Sequence, residues 1–171
     1  ANTWLRIDSE HYTILSNASA QDLREIIVAL ERLYVVWDQV FYDYWAPQGR
    51  LLDAFSDQEP LNHRRTRKHA IVVFASRQDY VDRLNGTAPN IEDSKGYYAV
   101  KRRQSLFYLG DPLLQKTWLH EATHQLFQER FAARQSVGDR ANFWLVEGIA
   151  MYMESLVDKG QYATLGGMFS G

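Results

Sequence analysis

The chain has 171 residues, and its 19 basic against 21 acidic side chains give a net charge of -2, too balanced for a nucleic-acid binder held by phosphate neutralisation. Cysteine is absent, which excludes a disulfide scaffold, a thiolate metal site and a thiol nucleophile. A hydrophobic content of 46% with 13% aromatics excludes intrinsic disorder, and the longest apolar run, Ala70 to Ala75, falls far short of the ~18 residues of a membrane span. At this length one domain over residues 1–171 is expected, burying roughly 70% of its unfolded surface. Ala1 stands where an initiator Met would, which reads as processing; a secreted or periplasmic location is the expectation that goes with it.

In chain order, Trp4 to Ile7 and His11 to Leu15 alternate as short strands. Ser19 and Asp22 form a capping pattern that predicts a long helix with a stripe of Leu23, Ile26, Ile27, Leu30, Leu33, Trp37, Val40, Phe41 and Tyr44, stopped at Pro47 and Gly49. Such a stripe is expected to cover a sheet. Residues 48–68 read as an irregular excursion ending in the basic run His63 to His69, a solvated loop that leads into a buried strand, Ile71 to Ala75. Ser76 and Asp79 cap a short helix to Leu84. Gly96 to Val100 and Ser105 to Leu109 then predict a hairpin. Two more helices follow, from about Leu113 to Phe131 and from about Asn142 to Val157, so the fold expected is α+β with one mixed sheet.

The chemistry is concentrated in His120-Glu121-Ala122-Thr123-His124. Histidines four apart on a helix place their Cβ atoms roughly 6 Å apart on one face, where both can bind one metal ion. Glu121 lies about 100° around, flanking that ion, the position for a base acting on water. Trp118, Ala122 and Leu126 fall opposite the histidines as an apolar stripe that can pack on the sheet. Catalytic zinc takes three protein ligands, and the best third candidate is Glu147, 23 residues after His124, in an apolar segment that reads as buried and so makes an unpartnered carboxylate expensive. Gly148 and Ala150 are small enough for two helices to approach. Glu154, on a similar face, is next in line and a candidate outer-shell group.

The HExxH motif followed by Trp144-Leu145-Val146-Glu147-Gly148-Ile149-Ala150 resembles the gluzincin metallopeptidases, and the second segment is similar to the equivalent stretch of the aminopeptidase N family. Nearly the whole chain resembles an uncharacterised bacterial family of small gluzincin-like domains, through Trp4-Leu5-Arg6-Ile7, Phe74 to Tyr80, Gly96-Tyr97-Tyr98 and the HExxH helix. The resemblance implies a zincin-like catalytic domain with a long backing helix, an active-site helix and a C-terminal glutamate helix. It implies zinc held by His120, His124 and Glu147, with Glu121 as general base. The Gly-x-Met-Glu-Asn substrate strand of the aminopeptidase N family is absent, and the corresponding stretch carries no acid.

The function expected is therefore zinc-dependent hydrolysis of peptide bonds within a peptide or protein substrate. Gly96, Tyr97, Tyr98 and Ala99 are expected to bind that substrate as an edge strand. Tyr162, the only tyrosine beyond the third long helix, is the candidate oxyanion donor, in a chain that reads as minimal or truncated beside larger gluzincins. Three alternatives stand beside this: an aminopeptidase with Glu154 as amine anchor, an inactive zinc-binding module that binds a peptide or protein partner, and an acidic-partner module using residues 63–69. The sequence gives no oligomeric state.

Overall fold

The computed structural model of the protein describes residues 3–42, 67–86, 91–110, 114–130 and 143–167. Alternation builds the first hairpin. Strand β1, Leu5–Asp8, half-buries Leu5 and Ile7, and β2, Tyr12–Ser16, buries Tyr12, Ile14 and Ser16. Strands β3, His69–Phe74, and β5, Gln104–Tyr108, are buried almost throughout, as expected of parallel strands covered on both faces. With β4, Tyr97–Ala99, they form a five-stranded sheet in the order β1-β2-β3-β5-β4. β2, β3 and β5 run parallel, whereas β1 and β4 are antiparallel edges. The expected mixed sheet is therefore present, with β4 paired on one side to β5 (Tyr97 to Leu106, Tyr98 to Ser105).

Helix α1, Arg24–Val40, buries Ile26, Ala29, Leu30, Leu33 and Trp37, each large aliphatic contributing about 1.5 to 3 kcal/mol of transfer energy. It begins later than the capping pattern predicts. Ser19 Oγ does accept the Asp22 amide, but over a turn that precedes the helix, and Leu23 caps α1 without a side-chain bond. Val40 is exposed although it belongs to the predicted stripe; Tyr44, Pro47, Gly49 and the basic residues 63–66 lie outside the described residues. His69 leaves the solvated loop of the prediction and is buried as the first residue of β3.

Helix α2, Arg77–Leu84, is capped as expected, Ser76 Oγ accepting the Asp79 amide at 3.1 Å. Helix α3, Leu114–Arg130, buries the predicted stripe of Trp118, Ala122 and Leu126 and packs against α1, α4, β4 and β5. Its contact with α1 includes the Trp37 and Phe127 rings, edge to face at 5.3 Å.

Helix α4, Phe143–Met153, ends before the predicted Val157. Val157 instead opens a two-stranded hairpin of β6, Val157–Asp158, and β7, Ala163–Thr164. Arg32 of α1 ties this hairpin down through Asp158 at 3.2 Å and the Gly160 carbonyl at 2.8 Å. The segment around Glu147 is not buried as its composition suggests: Trp144 is 74% and Met151 64% exposed, while Ala150 and Met153 face inward. Gly148 is exposed with open space where a Cβ would stand, so the close approach of α3 and α4 uses Ala150 and not Gly148.

Candidate metal centre

Two helices and one strand edge build the site. On α3 the four-residue spacing brings the His120 and His124 Nε2 atoms to 3.1 Å. From α4, Glu147 adds its carboxylate, Oε2 at 3.4 Å from His120 Nε2 and Oε1 at 3.3 Å from His124 Nε2. Donors about 2.0 to 2.1 Å from a tetrahedral zinc ion stand roughly 3.3 Å apart. Each imidazole nitrogen therefore has the other nitrogen and one oxygen of the Glu147 carboxylate at about that separation, and two imidazoles with one carboxylate are a donor set that catalytic zinc takes. Glu147 converges on the histidines although its side chain is about a third exposed, so geometry identifies it where the expected burial does not.

Glu154, just past the end of α4, meets His120 Nδ1 at 2.6 Å. A carboxylate accepts only, so His120 must carry its proton on Nδ1, which leaves the Nε2 lone pair facing the other two donors. Burial, aided by the neighbouring His120, holds the His124 imidazole below its ordinary pKa against the pull of Glu147. That keeps its lone pair available at neutral pH.

Glu121 takes no part in the triad. Burial pushes its carboxyl up to about 7, against the opposing influence of His120 and of the Tyr98 N–H, which donates to it; Glu147 and Glu154 add to the rise. A base poised near neutrality suits proton transfer at physiological pH. The contact to Tyr98 also places the β4 edge directly beside the base.

Gly96 explains how the edge comes so close. A Cβ on Gly96 would stand 2.9 Å from Thr117 Cγ2 and 3.4 Å from Glu121 Cγ. The glycine therefore admits helix α3, where the sequence suggests that it admits substrate. A cleft of about 330 Å³ opens here, lined from α3 by Lys116, Thr117, His120 and Glu121, from the segment before β4 by Ser94, Lys95 and Gly96, and by Glu154. Among the sequence-predicted substrate residues, Gly96 lines this cleft and Tyr97, Tyr98 and Ala99 form the edge strand. Tyr162 sits exposed between β6 and β7, and none of its described contacts joins it to the cluster.

The sequence reading missed the polar residues behind α3. Gln125 is wholly buried, accepting from Ser105 Oγ at 2.7 Å and donating to the Ala70 carbonyl and to Glu129. Glu129 in turn meets His69 Nδ1 at 2.8 Å. Gln125 and Glu129 are one turn apart, and that spacing is the one available signal that they share a face.

A comparison with protein-family models finds no match, and a comparison with curated proteins finds none either.

Proposed function

We propose that this α+β domain is a zincin-like, zinc-dependent peptidase of the gluzincin type that cuts within peptides. The observation that carries the reading is the convergence of His120 Nε2, His124 Nε2 and the Glu147 carboxylate within 3.1 to 3.4 Å of one another, with a separate, partly buried carboxylate, Glu121, alongside. Zinc held there supplies a Lewis acid that acidifies water and polarises a carbonyl.

The chain's own groups do the rest. Glu121, oriented by the Tyr98 N–H, takes a proton from the attacking water and passes it to the leaving amine. Glu154 fixes the His120 tautomer and so its direction of bonding. Since a residue of an antiparallel ladder turns its N–H and C=O to the same side, the Tyr98 carbonyl also lies on the free edge of β4, where it can accept an N–H of an extended substrate. No acidic side chain lies in Gly96 to Val100 to hold a free amino terminus, which supports cleavage within a chain.

The test is bound metal together with turnover. Wild type should hold one zinc per chain, and Glu121→Gln should keep it while losing at least ~100-fold in rate. An acetylated peptide and its free-amino counterpart should be cut internally at similar rates. Zinc retained in Glu147→Ala would remove the proposed third ligand, and unchanged turnover in Glu121→Gln would remove the mechanism.

A further inference from the structure

The backbone beside the proposed base is held from the core by a residue that the mechanism leaves unused. Tyr80 of α2 is wholly buried, its ring 5.8 Å from that of Phe74 and 5.2 Å from that of Tyr108. Packing alone would be served by Phe. The Tyr80 hydroxyl meets Ser94 Oγ at 2.9 Å, and Ser94, which lines the cleft, donates to the Gly96 carbonyl at 2.5 Å.

A serine hydroxyl has one proton, and with that proton on Gly96 the Tyr80 O–H must be the donor to Ser94. Each bond in such a string polarises the next. The string ends where the chain entering β4 presses on α3: a Cβ at Gly96 would stand 2.9 Å from Thr117 Cγ2, 3.2 Å from Phe107 Cδ1 and 3.4 Å from Glu121 Cγ. The segment has two further anchors, since Arg77 of α2 donates to the Glu92 carbonyl and the Ser94 amide bonds to the Ile91 carbonyl. Both remain without the Tyr80 hydroxyl. What that hydroxyl adds is the direction of the Gly96 carbonyl.

We propose that Tyr80 is a positioning residue for Glu121: through Ser94 it orients the Gly96 peptide group and so fixes the backbone surface against which the Glu121 side chain is held. The inference rests on the peptidase reading for what Glu121 does, and deepens it. A base must lie within hydrogen-bond reach of the proton that it takes, and a displacement of about 1 Å that begins far from the chemistry can cost ~100-fold in rate. Loss of one link from an otherwise anchored segment should cost less, about tenfold.

The experiment uses the zinc-loaded full chain and a peptide blocked at both ends. Tyr80→Phe should lower kcat about tenfold while KM moves less than about twofold, with bound zinc at the wild-type level. Ser94→Ala should match it, the double variant should be no worse than either single, and Ser94→Thr, which keeps the hydroxyl, should recover most of the rate. In a Glu121→Gln background Tyr80→Phe should have no further effect, because its action passes through Glu121; a general loosening of the fold would lower the residual rate there as well. Amide hydrogen exchange reads the same link without turnover. Gly96 and Tyr98 should exchange about tenfold faster in Tyr80→Phe, with the β3 amides unaltered. An unchanged kcat, a loss repeated in full without Glu121, or unaltered exchange at Gly96 and Tyr98 would overturn the inference. A wild type that cuts no peptide while the exchange result holds would remove the peptidase reading alone.

Discussion

Two histidine–carboxylate pairs sit nine residues apart along α3 and do opposite work. His69 meets Glu129 at 2.8 Å with side chains only 11% and 6% exposed; His120 meets Glu154 at 2.6 Å with 20% and 30% exposed. In each, Nδ1 faces the carboxylate. The difference is in what surrounds the pair. Glu129 is enclosed by Gln125 at 3.0 Å, with Arg103 at 3.8 Å, and among the described residues His69 and Glu129 join no set of three converging ligand atoms. The Nε2 of His120 instead faces His124 and Glu147. A His–Glu pair by itself therefore marks nothing; a second nitrogen aimed at other unspent donors marks the site.

The comparison breaks most visibly at the sealed pair. Removing one partner of a buried charged pair typically costs about 3 to 5 kcal/mol, so Glu129→Ala should lower unfolding free energy by that order in denaturant titration. Zinc affinity of the protein that remains folded should be unchanged. A loss below about 1 kcal/mol would show that His69 and Glu129 do not hold α3 to the sheet.

At the open pair the effects should exchange places. Glu154→Gln removes the carboxylate that fixes His120, and loss of such a partner typically lowers metal affinity about 10- to 100-fold. Competition with a chelator reads this directly. Stability without metal should change by less than about 1 kcal/mol, because the pair is partly solvated. Unaltered zinc affinity would detach Glu154 from the centre.

The open site was legible in the sequence and the sealed one was not, for a physical reason. A four-residue His spacing states its own geometry, and Glu147 stands out as an acid among apolar residues. The sealed network is made of His69, Ser105, Gln125 and Glu129, polar types that ordinarily face water; their burial depends on partners brought from β3, β5 and α3 at once. The converse error occurs in α4, where Trp144 and Met151 are exposed although an apolar run suggests a core. Composition reports hydrophobicity but not which side of a helix meets a neighbour. The β6–β7 hairpin was invisible because two-residue strands have no periodicity to read.

Gly96 joins the two regions, since it packs on Thr117 and Glu121 while β4 carries Tyr98 between Glu121 and Glu129, its hydroxyl 3.5 Å from the latter. In Gly96→Ala the strand or the packed side chains of Thr117 and Phe107 must shift to relieve contacts of 2.9 and 3.2 Å, overpacking that costs about 1 to 3 kcal/mol. It should also lower kcat more than it raises KM, because the strand that orients Glu121 is displaced. Wild-type stability and kcat in this variant would mean that the edge does not need its glycine.

A third pair makes the smallest test and sharpens the distinction. His11 Nδ1 meets Glu31 at 2.5 Å, at 18% and 23% exposure, while Glu31 also accepts the His11 amide at 2.9 Å and the ring stacks on Tyr34 at 3.7 Å. This pair has the exposure of the open site, and with Glu10 Oε1 at 3.9 Å from His11 Nε2 it also converges as a set of three, yet the Glu31 carboxylate is spent on the His11 amide and ties the residue before β2 to α1. Burial pushes the Glu31 carboxyl up, but hydrogen bonds from the His11 amide, Ser9 and the His11 ring outweigh it, and the net shift is downward from 4.5. A carboxyl whose pKa is lower in the folded state stabilises the fold above the unfolded value and loses that contribution as pH falls through the folded value. Glu31→Gln should therefore cost about 1 kcal/mol at pH 7, the scale of an ordinary hydrogen bond. The difference from wild type should narrow as pH drops below 4.5 and close once the carboxyl is protonated in both states. Denaturant midpoints measured across the acid range check it; a penalty that stays constant with pH would assign the loss to shape and not to charge, and a penalty that grows toward acid would reverse the sign of the linkage.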